Sequence, residues 1–123
     1  RLNSLGCNLI KERGPLKEQE IIDLLEKHHG FDGIIAGEDE YSERVLKRLH
    51  PQTKIISRYG VSLDKIDLDT ASELNIKITN TPGVNHTTVT ELTFGLLFSL
   101  ARNIPRLNYS VHSGSWRRET GSE

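Results

Sequence analysis

Two short runs hold most of the residue types that can do chemistry. The first, SRYGVSLDKID (residues 57–67), brings Arg58, Gly60, Val61, Ser62, Asp64 and Lys65 together directly after an apolar, strand-like run. At the carboxyl end of a parallel strand, backbone N–H groups freed by the turn can hold an anion, and a nearby guanidinium adds charge. The same residues equally suit an ordinary loop with Arg58 in a surface salt bridge. The second run, TPGVNHTT (81–88), lies between another short strand and a long helix. An anion is favoured there too, at a strand end and a helix N-terminus. Asn85 or Thr87 also suits the role of N-cap, and His86 that of a loop residue. Glu91, one turn into the helix, either meets a partner or offsets the helix dipole.

Other chemistries find no footing. The sequence has no G-x-G-x-x-G, no P-loop Gly-Lys-Ser/Thr and no G-x-S-x-G elbow. His28, His29, His50, His86 and His112 do not stand at metal-ligand spacing with one another or with Cys7. Cys7 sits in an apolar run and reads as a buried structural thiol rather than a nucleophile. Asp39 lacks the acidic pair and lysine of a phospho-receiver.

The elements that must position the two runs alternate between short strands and helices. Residues 7–10, 33–37, 54–57 and 76–79 read as strands, with 33–37 buried, and residues 16–29, 40–49 and 67–74 as helices. Ile21, Ile22, Leu24 and Leu25 make the apolar face of the first helix. Tyr41, Val45, Leu46 and Leu49 make that of the second, which stops before Pro51. This alternation predicts an α/β fold with a doubly wound parallel sheet. A long helix follows over 87–102, and its apolar residues, Val89 to Ala101, cover most of its circumference. A helix of that kind needs burial on more than one side. A four-strand domain covers one side, so a second domain or subunit must cover the other. Residues 104–112 read as a further helix with Pro105 in its first turn, and residues 114–123 as a polar linker.

Composition narrows the function classes. The chain has 123 residues, enough for one domain, with 16 basic against 17 acidic side chains, so 16 − 17 = −1. That balance speaks against nucleic acid or a polybasic membrane surface as partner. No run approaches the roughly 20 apolar residues of a membrane span. A single cysteine excludes an internal disulfide and points to a reducing, cytoplasmic compartment. The chain contains no Met, which suggests a piece of something longer.

The two chemical runs also carry a resemblance. ISRYGVSLDKIDL (56–68) resembles the signature GVGxDNIDL of the NAD-dependent D-isomer 2-hydroxyacid dehydrogenases, and ITNTPGVN (78–85) followed by VTELT (89–93) resembles their NTPGxN…VAELT. LARNIP (100–105) and GSW (114–116) continue the register, closest to the phosphoglycerate dehydrogenase-like branch. The resemblance implies a flavodoxin-like substrate-binding domain over residues 1–84 that lacks its first strand, residues 7–10 matching the second. Residues 85–123 would be an interdomain helix and linker leading to an absent nucleotide-binding domain. That missing part would hold the family's catalytic Arg, Glu and His, so no catalytic residue is placed here.

By position, the backbone of Gly60, Val61 and Ser62 would hold the substrate carboxylate with support from Asn85. Arg58 would lie near the substrate, and Val61 and Val89 would face the nicotinamide of NAD. The implied reaction is hydride transfer between NAD and a 2-hydroxy acid, the partners being that acid or its 2-oxo form and a second copy of the chain, joined through the long helix. Two departures carry expectations. Ser62 stands where the family usually has glycine, so its Cβ is expected to alter the loop or crowd the carboxylate. Ala36-Gly37 stands where phosphoglycerate-using members often carry Arg-Ser, which points to another 2-hydroxy acid. The alternative is a non-catalytic small-carboxylate-binding or dimerisation module on the same fold.

Overall fold

The computed structural model describes residues 2–116 and 118. The chain divides into two compact units, Arg1–Pro82 and Gly83–Glu123. Most of the expected linker beyond Trp116 lies outside the described residues.

Unit 1 is an alternation of strands and helices, as its apolar periodicity predicts. Strands β1 (Gly33–Ala36), β2 (Ile55–Arg58) and β3 (Lys77–Thr79) pair in parallel in the order β1-β2-β3. Their register sets Ile34 opposite Ile56 and Ile56 opposite Ile78. Helices α1 (Glu18–His28), α2 (Glu43–Leu49) and α3 (Leu68–Glu73) connect and flank them. Each helix starts at a cap written in the sequence. Glu20 accepts the Lys17 backbone N–H at 2.7 Å, the Ser42 hydroxyl accepts from Val45 N–H, and Asp67 accepts from Thr70 N–H at 3.0 Å.

One face of the sheet packs on the apolar stripes of these helices. Ile21, Ile22 and Leu25 of α1, Val45, Leu46 and Leu49 of α2, and Ile56 of β2 form the core, with Ile34 and Ile78 packed against it. Burying each such side chain contributes about 1.5–3 kcal/mol. The pleat sends Ile35 and Ile55 to the opposite face, where they are exposed.

Four expectations are corrected. Residues 7–10 form no strand: β1 is an edge of the sheet, and without a ladder partner the segment runs as irregular chain with Leu9 and Ile10 exposed. Cys7 is consequently an exposed thiol rather than a buried one. The sheet among the described residues therefore has three strands, not four. The run 33–37 is parallel but only half buried, since of β1 only Ala36 is fully enclosed.

The second helix also begins later than its apolar pattern alone suggests. Tyr41 is drawn into a parallel bridge with Ile66, donating its N–H to the Lys65 carbonyl at 2.8 Å, which leaves Ser42 to start α2. Burial, with Asp39 nearby, pushes the Tyr41 hydroxyl well above its usual range.

Carboxylates tie α1 to α2 on the surface. The Ser42 hydroxyl and then Arg44 hold Glu18 below its ordinary 4.5, and Lys17 does the same to Glu40. A lowered folded-state value stabilises the fold above about pH 4.5 and is lost as pH falls through the folded value.

Unit 2 is a helical pair. Helix α4 (His86–Ala101) and helix α5 (Ile104–His112) are joined through Asn103, whose left-handed φ of 53° turns the chain. Helix α4 is apolar all round, and its large side chains are all exposed, Leu92 at 62%, Leu96 at 58% and Phe98 at 60%. The burial that such a helix needs is not supplied by the described residues. Among those residues no helix is long and apolar enough to cross a membrane.

Candidate substrate-binding site

The carboxyl ends of the three strands are laced together by hydrogen bonds. Past β1, the buried Asp39 accepts from the backbone N–H groups of Gly37 and Leu16, each at 2.8 Å. Asp39 is thus a latch between loops. Past β2, Tyr59 donates its N–H to the Ala36 carbonyl at 2.8 Å. Past β3, Asn80 donates its side-chain amide to the Val61 carbonyl at 2.8 Å, and Thr81 donates its N–H to the Gly60 carbonyl at 2.9 Å. Loop 59–62 is therefore held on both flanks by its neighbouring strands.

Its own donors are left over. The Gly60 N–H turns back to the Arg58 carbonyl at 3.0 Å, but the N–H groups of Val61 and Ser62 have no acceptor among the described residues. Two adjacent free amides at a strand's carboxyl end are donors available to an anion. The Thr81 hydroxyl, buried without a partner, is a further unused polar group on this edge.

Arg58 is placed by β2 on the core side of the sheet, where its side chain is 8% exposed. Its guanidinium donates to the Glu38 carboxylate and to the Tyr59 carbonyl. It also fills the space beside Gly60: a Cβ at Gly60 would stand 2.6 Å from Nη1 of Arg58 and 2.8 Å from Nη2. A side chain there would require the guanidinium or the loop to shift. The ion pair expected at Arg58 is thus present, but its guanidinium is buried and committed, while Glu38 is exposed.

Ser62 is engaged locally. It is absent from the described left-handed residues, so its Cβ meets no backbone penalty, and its Oγ turns aside to accept the Asp64 N–H at 3.2 Å. Val61 keeps its side chain 44% exposed beside the two amides.

The other predicted residues belong to unit 2. Asn85 occupies the N-cap position of α4, as one reading of the sequence has it, yet its side chain makes no cap bond and is exposed. Thr90 and Thr93 instead donate to the His86 and Val89 carbonyls one turn back. His86 is the first residue of α4 and not part of the loop. Val89 is 53% exposed, and Glu91 is exposed as well.

Sequence reasoning missed Glu38 and Asn80 as parts of this edge. Glu38 lies 20 residues from Arg58, and no local pattern announces the pair. Asn80 reads as a turn residue, although its place just past a strand could have marked it as a loop tie.

A three-stranded parallel sheet with helices between its strands defines a domain of the α/β class. Comparison with known proteins makes this specific. The chain belongs to the D-isomer specific 2-hydroxyacid dehydrogenase family, whose catalytic domain matches residues 6–118. It is 36% identical over 95 residues to a glyoxylate reductase of Thermococcus litoralis, covering 77% of this chain and 29% of that protein. It is 33% identical over 119 residues to a D-3-phosphoglycerate dehydrogenase of Bacillus subtilis, covering 89% of this chain and 23% of that protein. Among solved structures, the TT0316 protein of Thermus thermophilus superposes with a TM-score of 0.82 at 30% identity, over 96% of this chain and 37% of that one. The chain thus spans less than a third of the length of these two curated relatives.

Proposed function

We propose that this chain is the substrate-binding part of an oxidoreductase that transfers hydride between NAD and a 2-hydroxy acid. The observation that carries this reading is the pair of unpartnered Val61 and Ser62 amides in a loop whose remaining backbone is tied down on both sides. Preorganised N–H donors hold a carboxylate without rearranging, which is what positioning a 2-oxo acid for reduction requires. Residues 1–84 would be the substrate domain, with Gly60, Val61 and Ser62 as the cradle and Arg58 beneath it. Residues 85–123 would be the helix and linker leading to a nucleotide-binding domain, with Asn85 adding support to the carboxylate.

The exposed, apolar Val61 and Val89 suit contact with a nicotinamide ring. NAD, when bound, supplies the hydride and its acceptor chemistry. This chain's residues bind the acid, orient its 2-carbon and exclude water with their apolar surface. The exposed circumference of α4 supports a homodimer formed through that helix. A cytoplasmic location agrees with the exposed free thiol of Cys7.

The test is NADH oxidation by the protein's full reading frame with glyoxylate or hydroxypyruvate. The expected result is cofactor consumption that depends on the 2-oxo acid, with none from the 123-residue chain alone. A full-length protein that reduces no 2-oxo acid yet binds one would favour the non-catalytic carboxylate-binding module instead.

A further inference from the structure

The cations nearest the amide cradle are already spent. Arg58 lies directly against Gly60, one residue from the Val61 amide, but its guanidinium is engaged by Glu38 and the Tyr59 carbonyl. Lys65, the other cation of loop 57–67, faces Glu40 at 3.8 Å. Glu38 is itself mostly in water, with its side chain 68% exposed, so its negative charge stands at the surface beside the loop. Asp39 beside it is buried, with both oxygens on backbone amides. Among the described residues, loop 57–67 therefore offers donors for one carboxylate, while both of its cations, Arg58 and Lys65, already face a carboxylate.

We infer that Glu38 is a specificity-determining residue: by holding Arg58, it restricts the site to 2-oxo and 2-hydroxy acids whose only anion is the carboxylate. This rests on the proposed dehydrogenase reading and deepens it to a substrate class. Glu38 acts against a second anion by cancelling the field of the guanidinium that would otherwise attract that group. A unit charge acting over several ångströms at a protein surface changes binding about tenfold. An acid with a neutral tail loses far less, because the two amides hold its carboxylate.

The experiment compares kcat/KM of the full-length protein for glyoxylate, with one anionic group, and for oxaloacetate, with two, using NADH. The wild-type protein is expected to prefer glyoxylate by at least about tenfold. Glu38→Gln is expected to narrow that preference about tenfold by raising the oxaloacetate value, and high salt is expected to shrink the difference between the two proteins. Glu38→Ala should act in the same direction, and thermal melting checks that both variants remain folded. A purely structural role would lower both substrates together. An unchanged ratio in Glu38→Gln, or a wild-type preference for oxaloacetate, overturns the inference while leaving the dehydrogenase reading intact. Failure to reduce any 2-oxo acid overturns both.

Discussion

Gly60→Ala is expected to lower kcat/KM of the full-length protein for its 2-oxo acid by about 100-fold, with most of the loss in KM. The added Cβ would stand 2.6 Å from the Arg58 guanidinium, well inside contact distance. Something must move, and the guanidinium is poorly free to do so. It is nearly enclosed and holds both Glu38 and the Tyr59 carbonyl. The backbone of loop 59–62 moves instead, carrying the Val61 and Ser62 amides with it. Displacing positioning groups by about 1 Å costs on the order of 100-fold. The core residues Ile56 and Leu46 are untouched, so the melting temperature should fall far less than activity. Steady-state kinetics and a thermal melt on the same preparation check this. Kinetics equal to wild type would show that the loop does not hold the substrate.

The second large effect concerns association. Replacing both Leu96 and Phe98 with Asp is expected to abolish dimer formation, halving the mass seen by light scattering. Both side chains are more than half exposed within the chain, so a charge at either costs the monomer's own fold little. In a packed helix-to-helix interface each would be an uncompensated buried carboxylate, and one such group costs about 3–5 kcal/mol. Two are enough to shift a micromolar or tighter dimer to monomer at working concentrations. An unchanged mass would place the interface elsewhere and leave the exposed face of α4 without the proposed occupant.

The helices of unit 1 were legible because their signals are local. Ile21, Ile22 and Leu25 fall on one face, and Asp67 stands three residues before the N–H it caps. Helix α4 was equally plain, down to its lack of a single apolar stripe. The strand expected over residues 7–10 failed because a strand exists only with a partner, and partners are not written in a four-residue window. Tyr41 shows the same limit from the other side. Its spacing fits α2, yet the Ile66 bridge claims it.

At the site, Arg58 and Gly60 stood out by type and position. What the structure added is their relation: the guanidinium occupies the place of the missing Cβ, so the glycine is needed for a neighbour and not only for a turn. Glu38 was invisible because charge pairing across 20 residues depends on parallel pairing of β1 with β2, which brings Ala36 level with Arg58. At Ser62 the structure adds that the backbone lies outside the left-handed region and that the hydroxyl accepts the Asp64 N–H.

The most direct measurement is of the two amides themselves. The 15N-labelled full-length protein is titrated with oxamate, an unreactive mimic of a 2-oxo acid, while the backbone resonances of Val61 and Ser62 are followed. The account predicts saturable downfield shifts of these two N–H groups, larger than at any other residue of unit 1, as each gains a carboxylate acceptor. Saturable binding that leaves Val61 and Ser62 unmoved would contradict it.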